Sequence, residues 1–407
     1  QRHRMSAAGH RVDAAQSGYL PQVDLQVGAR HTDNPGQAFM TKINQARATQ
    51  KDFAAAVVND PDPTTDIATS LELRQPIYRG GATTAQVAQA ESGVAGATQG
   101  LQRTKLNVAL GATRAFLGVQ LAQSRVKVTK EALEAAREHL RMAENRYQAG
   151  TALRSDMLQA RTRVSELEER LLSQENGLAI ATSKLNEQLG RDLDAPVNVD
   201  GNLRDHNPVE APSLNALTER ALNERPEIQR SRAQVDGARA QADEAQAGLR
   251  PHVSLRARLE DHRAGESDQS WLVGAQMNWR LYGGGRRASE QAATAERFAA
   301  ESRLTDTMRK VRLEVKEAKL NLETARKRLT TVRHAVESAQ ESLRTNANRY
   351  EQGASTIVEL LDAQLARHQA RQRQIKALYD LRLSHAQLQK AVGRLPVLEQ
   401  LAAGSAQ

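Results

Sequence analysis

Apolar residues step through residues 286–350 at alternating intervals of four and three. They are Leu304, Met308, Val311, Val315, Ala318, Leu322, Ala325, Leu329, Val332, Val336, Ala339 and Leu343. Moving back by 203 positions gives Leu101, Lys105, Val108, Ala112, Ala115, Val119, Ala122, Val126, Thr129, Leu133, Ala136 and Leu140, ten of them apolar. A sustained 3.5-residue period predicts long helices that pack through narrow seams and wind left-handed around their neighbours. The first such helix, over residues 82–147, contains no proline, and at ~1.5 Å per residue it would be about 100 Å long. Each long helix ends at a Tyr-x-x-Gly turn. A return helix is expected to start near Ser155 and Asp156 in one copy and near Thr356 in the other, where Ser and Thr suit N-capping.

Four short segments switch from this period to strict alternation. Val23, Leu25 and Val27 alternate with Asp24 and Gln26. Ile67, Thr69, Leu71 and Leu73 alternate with Ala68, Ser70 and Glu72. Val253, Leu255, Ala257 and Leu259 alternate with polar neighbours, and Trp271, Val273, Ala275, Met277 and Trp279 share one face. These patterns predict strands over about 22–29, 67–78, 252–260 and 270–281, each with one apolar side. Polar loops, 30–66 and 260–270, join each pair. The apolar faces have no helix assigned to cover them, and segments of this length flanked by aromatics match transmembrane β-strands. Trp271 and Trp279 sit at the two ends of one strand, as interfacial anchors would, with Tyr78 and Tyr282 at comparable ends. The alternative is a small soluble sheet packed on helix ends. Four strands cannot close a barrel alone and edges cannot face lipid, so the membrane reading demands oligomerisation.

The chain repeats itself. Arg146-Tyr147-Gln148-Ala149-Gly150 is echoed by Arg349-Tyr350-Glu351-Gln352-Gly353. Leu189-Gly190-Arg191 is echoed by Val392-Gly393-Arg394, and Tyr78-Arg79-Gly80-Gly81 by Tyr282-Gly283-Gly284-Gly285. The expected organisation is a first repeat over 1–190, with a helical hairpin at 82–189. A connector over 191–212, carrying Pro196, Pro208 and Pro212, leads to a second repeat over 213–393, with its hairpin at 285–392. A tail covers 394–407. The helix opening the second repeat is expected to break near Pro226. Residues 11–21 match 241–251, deep inside the second repeat, so the sequence is expected to start part-way through a helix, with room for an export signal ahead of it.

Composition narrows the class. Aromatics are 3% and charged residues 26%, a mix that favours long helices over compact domains. The net charge of +9 is spread along helices and interleaved with acids, which argues for a solvated surface and against a nucleic-acid partner. With no cysteine, disulfides and thiol chemistry are excluded. The ten histidines show no paired metal spacing, and Gly283-Gly284-Gly285 lacks the Lys-Ser/Thr ending of a phosphate-binding loop. No catalytic residue, cofactor or metal is expected, and the protein reads as a non-enzyme.

Taken in order, these motifs resemble the outer-membrane efflux proteins of Gram-negative bacteria, the TolC-like channel-tunnels. The resemblance covers nearly the whole chain. It rests on the duplicated plan, on Leu73-x-x-Pro76-Ile77-Tyr78-x-Gly80-Gly81, on Arg-Tyr-x-x-Gly at both turns, and above all on Thr356-Ile357-Val358-Glu359-Leu360-Leu361-Asp362. A lipobox cysteine is missing from the pattern. The resemblance implies a mainly α fold with a small β part. Duplicated long helical hairpins would form an α-barrel tunnel, and a homotrimer would share one β-barrel in outer-membrane lipid, with the helical body in the periplasm. It implies a passive exit path for a tripartite efflux pump or type I secretion system, partnered by a periplasmic adaptor (membrane fusion) protein and an inner-membrane transporter. The rival is a periplasmic coiled-coil adaptor or tether, which would not carry two strand pairs and a duplicated hairpin. By motif, Tyr350 and Asp156 fall on the family's gating pair, flanked by Ser155 and Ser355. Glu359 and Asp362 fall on its acidic constriction, and Gly150 and Gly353 on the tip turns. The plainer alternatives are helix-end staples for the first pair and a solvated acidic turn for the second.

Overall fold

The computed structural model describes residues 2–199, 203, 212–263 and 267–395. Within the expected connector and tail, residues 200–202, 204–211 and 396–407 lie outside these, Pro208 among them, as do 264–266 between the last two strands. The elements in order are α1 (Arg2–Gln16), β1 (Gln22–Thr32), α2 (Pro35–Asn44), α3 (Ala55–Asn59), β2 (Thr64–Arg79), α4 (Ala82–Gln148), α5 (Arg154–Leu189), α6 (Leu214–Glu224), α7 (Pro226–Ala247), β3 (His252–Arg263), β4 (Ser267–Asn278), α8 (Gly284–Glu351) and α9 (Ile357–Ala391). Two compact units emerge, Gln1–Thr98 with Arg230–Leu304, and Gln99–Gln229 with Thr305–Gln407. They cut across the two repeats, because each unit draws a half from each repeat.

The first unit is built on an antiparallel sheet of order β1-β2-β3-β4, with β1 and β4 as open edges. Register lines the apolar positions into continuous rows: Leu25, Leu71, Leu259 and Trp271 in one, Val23, Leu73, Ala257 and Val273 in the next. A bulge between Pro76 and Tyr78 brings Tyr78 opposite Val253, which in turn faces Met277. Proline cannot donate to a ladder, which suits it to such a site.

The sheet is inside out. Leu25 is 67% exposed and Trp271 78%, whereas Asp66, on the polar side, is 6% exposed. Ion pairs knit that polar side: Arg74 and Arg256 reach Glu72 at 2.9 and 3.1 Å, and His262 Nδ1 lies 2.9 Å from Asp66. The junction between β2 and α4 is tight. Gly80 has φ +68, and a Cβ there would stand 2.5 Å from the Ala247 carbonyl oxygen, so only glycine fits.

All four strands differ at their ends from the alternation pattern. β1 continues to Thr32, β2 starts at Thr64, and β3 runs on to Arg263. The interval expected to be a polar loop folds. Asn34 caps α2 by accepting from the Gln37 N–H at 3.2 Å, with Pro35 in the first turn. Phe39 and Phe53 meet edge to face at 5.3 Å. Lys42 pairs with Asp52 at 3.0 Å, and buried Gln45 donates to Asp66 and to the Thr65 carbonyl, each at 3.0 Å. Side-chain capping and one aromatic pair gave no periodic signal to read. At the other end β4 stops at Asn278, short of the expected 281. Trp279 leaves the ladder and its indole N–H donates to the Leu249 carbonyl at 3.2 Å.

In the second unit, α4 is buried along two stripes. Leu133 and Ala136 of its seam pack on Val164 and Leu167 of α5, while Leu117 and Val128 pack on Ile375 of α9. The α8 seam is buried at Val311, Val315, Leu322, Ala325 and Leu329. Val108 departs from the pattern: it is 53% exposed, while Leu106 and Thr113, on the other side of the helix, are buried. A single 3.5 period describes one contact face, and a helix with neighbours on two sides buries a second. Polar groups fasten these faces, with Gln364 donating to the Ala132 carbonyl and Gln372 to Thr129, each at 3.3 Å. Arg225 separates α6 from α7, whose first residue is Pro226.

Candidate functional site: the paired hairpin tips

Both long helices end in the same way. Gly150 and Gly353 take left-handed φ values of +73 and +72. Gly150 N–H donates back to Tyr147 O at 3.0 Å and Thr151 N–H to Arg146 O at 2.9 Å. The second copy repeats this with Gly353 to Tyr350 at 3.0 Å and Ala354 to Arg349 at 2.8 Å. A left-handed glycine that satisfies the last carbonyls is a helix stop, and this is what the repeated Arg-Tyr-x-x-Gly encodes. Leu189-Gly190-Arg191 and Val392-Gly393-Arg394 encode the same stop at the far ends of α5 and α9, with Arg191 N–H to Asn186 O and Arg394 N–H to Gln389 O, each at 2.9 Å.

The return helices start differently. Thr356 caps α9 by accepting from the Glu359 N–H at 3.3 Å. In α5 the cap position is Leu153, which offers no oxygen, and Ser155 already lies inside the helix rather than at its cap. Asp156 compensates. Its carboxylate accepts from the Leu153 N–H at 3.4 Å and from the Ser155 hydroxyl at 3.3 Å. Among the described residues no hydrogen bond joins Asp156 to Tyr350, so the carboxylate that the sequence paired with the phenol serves its own helix end.

The two tyrosines of the repeated motif part company. Tyr147 is 41% exposed, whereas Tyr350 is 4% exposed in a cluster with Ile357 and Leu360, against which Met142 of α4 also packs. The Arg146 guanidinium lies over the Tyr350 ring, 4.4 Å from its centroid, and donates to the Glu351 carbonyl at 3.0 Å. In the sequence Arg146 is one arginine of a repeated turn motif, and nothing in periodicity tells which of the two repeated arginines crosses between hairpins.

Glu359 and Asp362 are both exposed, three positions apart on α9, while their neighbours Leu360 and Ala363 are buried. Ser355 donates its hydroxyl to Glu359. Further along α9, His368 is 3% exposed and neither ring nitrogen has a partner. Burial first, then the cations of Arg170, Arg163 and Arg367, push its pKa down to about 4. Nearer the tip, burial holds His139 below its ordinary range against the opposing charge of Glu351.

Among the membrane-anchor candidates, Trp271 lies within β4 and is strongly exposed, and Tyr78 lies at the β2 bulge. Trp279 and Tyr282 lie just beyond β4, with Tyr282 91% exposed. Among the described residues no group of three or more His, Asp or Glu could hold a metal ion, and no helix is long and apolar enough to cross a membrane.

Known proteins share this plan. Alkaline protease secretion protein AprF of Pseudomonas aeruginosa is 23% identical over 69% of this chain and 60% of its own length. Outer membrane protein TolC of Vibrio cholerae is 25% identical over 96% of this chain and 85% of its own. The solved structure of VceC, an outer membrane protein of Vibrio cholerae, superposes with a TM-score of 0.78 at 18% identity, covering 97% of this chain and 92% of that one. The family profile described as outer membrane efflux protein matches residues 1–191 and 217–394, and the chain belongs to that family.

Proposed function

We propose that the chain is one third of an outer-membrane channel-tunnel, a passive exit duct for a tripartite efflux pump or type I secretion system. The observation that carries this is the inside-out sheet: continuous apolar rows are exposed on one side, ion pairs line the other, and both edges are open. Such a sheet suits lipid on one side and water on the other, and its edges must pair with further chains. Three chains would close twelve strands, β1 of one beside β4 of the next. Trp271, Trp279, Tyr78 and Tyr282 would then lie at membrane interfaces. The organisation into repeats 1–190 and 213–393 belongs to this reading, as one unit duplicated to build a wall.

The helical body lies in the periplasm, and the hairpin tips form the gate. There Tyr350, Asp156, Ser155 and Ser355 would fix the turns at Gly150 and Gly353. Glu359 and Asp362, repeated threefold, would ring the constriction with carboxylates, concentrating cations. An adaptor docks on the tips and an inner-membrane transporter supplies the energy, so the duct carries out no catalysis of its own. AprF is named for alkaline protease secretion, which keeps secretion beside efflux as the cargo class. The test is to delete the gene and restore it on a plasmid. Outer-membrane fractionation, with drug sensitivity or loss of an exported protein on deletion, supports the duct. A product that stays in the soluble periplasm refutes it.

A further inference from the structure

We infer that Arg146 is the clasp of the resting gate, the residue that holds the tip of the first hairpin to that of the second. This rests on the tip being the gate. The duplication itself supplies the contrast. Arg146 and Arg349 occupy equivalent positions in the two turns, yet Arg349 donates to the Ala354 carbonyl of its own turn at 3.2 Å. Arg146 instead crosses between hairpins, stacking on the Tyr350 ring and donating to the Glu351 carbonyl.

Both targets suit a cation. Glu351 is the last residue of α8, where carbonyls lack helical partners and the helix dipole is negative. The Tyr350 ring presents a negative face and is locked by Ile357, Leu360, Leu343 and Met142. The clasp is fixed at its base as well: Thr151 donates to the Arg146 carbonyl from its hydroxyl at 3.1 Å and from its N–H at 2.9 Å. A rigid ring and a rigid arginine backbone cannot follow each other if the hairpins part. A separation of a few ångströms therefore breaks the stacking and the hydrogen bond together. Arg146 thus favours the closed arrangement and contributes nothing to the open one, which is the condition for shifting a two-state equilibrium.

The experiment is single-channel recording of the purified full chain in planar bilayers. Arg146→Ala should raise the open probability about three- to tenfold, while Arg349→Ala leaves it at the wild-type level. Because the chain has no cysteine, Arg146→Cys provides a unique thiol. A methanethiosulfonate carrying an ethylammonium group should restore the resting state, and the methyl reagent should not. Equal rescue by both reagents would mean that bulk rather than charge matters and would overturn the clasp, as would an Arg349→Ala channel that opens equally. If Arg146→Ala is silent but Tyr350→Ala opens the channel, the tip gate stands and the clasp falls. If both are silent, both readings fall.

Discussion

Arg225 shows how much one side chain can hold. It is 4% exposed at the joint between α6 and α7, and it contacts Glu227 at 3.2 Å and Glu314 of α8. Burial alone would lower the arginine and raise Glu227. Their hydrogen bonds reverse both, leaving Arg225 above and Glu227 below its ordinary value. Arg225→Ala would strand the half-buried Glu227 and should cost about 3 kcal/mol in a chemical unfolding titration of the helical signal. His368 acts in the opposite sense. Its folded pKa of about 4 lies below the 6.5 of an unperturbed imidazole, so between these values the unfolded chain binds more protons. Stability therefore rises with pH across that window and is lost as pH falls below 6.5. His368→Gln should flatten the fall in melting temperature between pH 6.5 and 4; a slope as steep as wild type would assign acid lability elsewhere. Neither role was legible in the sequence. A lone His on a helix, or an Arg between two helices, looks solvated until a neighbouring helix covers it, whereas Gly150 and Gly353 were readable because the stop they encode is local.

At the scale of elements, the two periods were legible and the ends were not. The 4-3 seam of α8 and the alternation of β1 to β4 survive because each reports one face buried or bared along its whole length. Thr64, α2 and α3 escaped notice because they depend on Asn34 capping, on Gln45 reaching Asp66, and on a single Phe39–Phe53 contact. Val108 escaped because α4 has neighbours on two sides. The face assignment of β4 can be tested directly. Ala275 pairs with Leu255 in an apolar row, while its neighbour Gln276 points the other way, opposite Ser254. Ala275→Arg should cost about 2–4 kcal/mol near the bilayer midplane, read as a lower denaturant midpoint for refolding into vesicles. Gln276→Arg should fold like wild type. Equal penalties at the two positions would mean that β4 does not separate lipid from water.

The whole molecule follows from what a single chain leaves unfinished. β1 and β4 each present an unpaired row of backbone donors and acceptors, and within a bilayer every such group must find a partner. Water cannot supply one, and pairing β1 with β4 of the same chain would bend four strands into a ring too narrow for their side chains. The remaining solution is to pair β4 of each chain with β1 of the next and close the circle with further copies. The proposed channel-tunnel takes three. Mass measurement in mild detergent should then give three chains and little monomer. Substitutions at the edges should act on assembly before they act on the fold of one chain. Val27→Pro on β1 removes a backbone N–H from the interval 22–32 and places a rigid ring in the strand. It should therefore release monomers whose helical circular dichroism is retained. Leu71→Pro, in β2 between two neighbours, should instead destroy the sheet within each chain. A stable monomer of the unaltered protein in detergent and in vesicles alike would remove the reason for a shared barrel. The outward apolar rows would then have to be covered by some other surface.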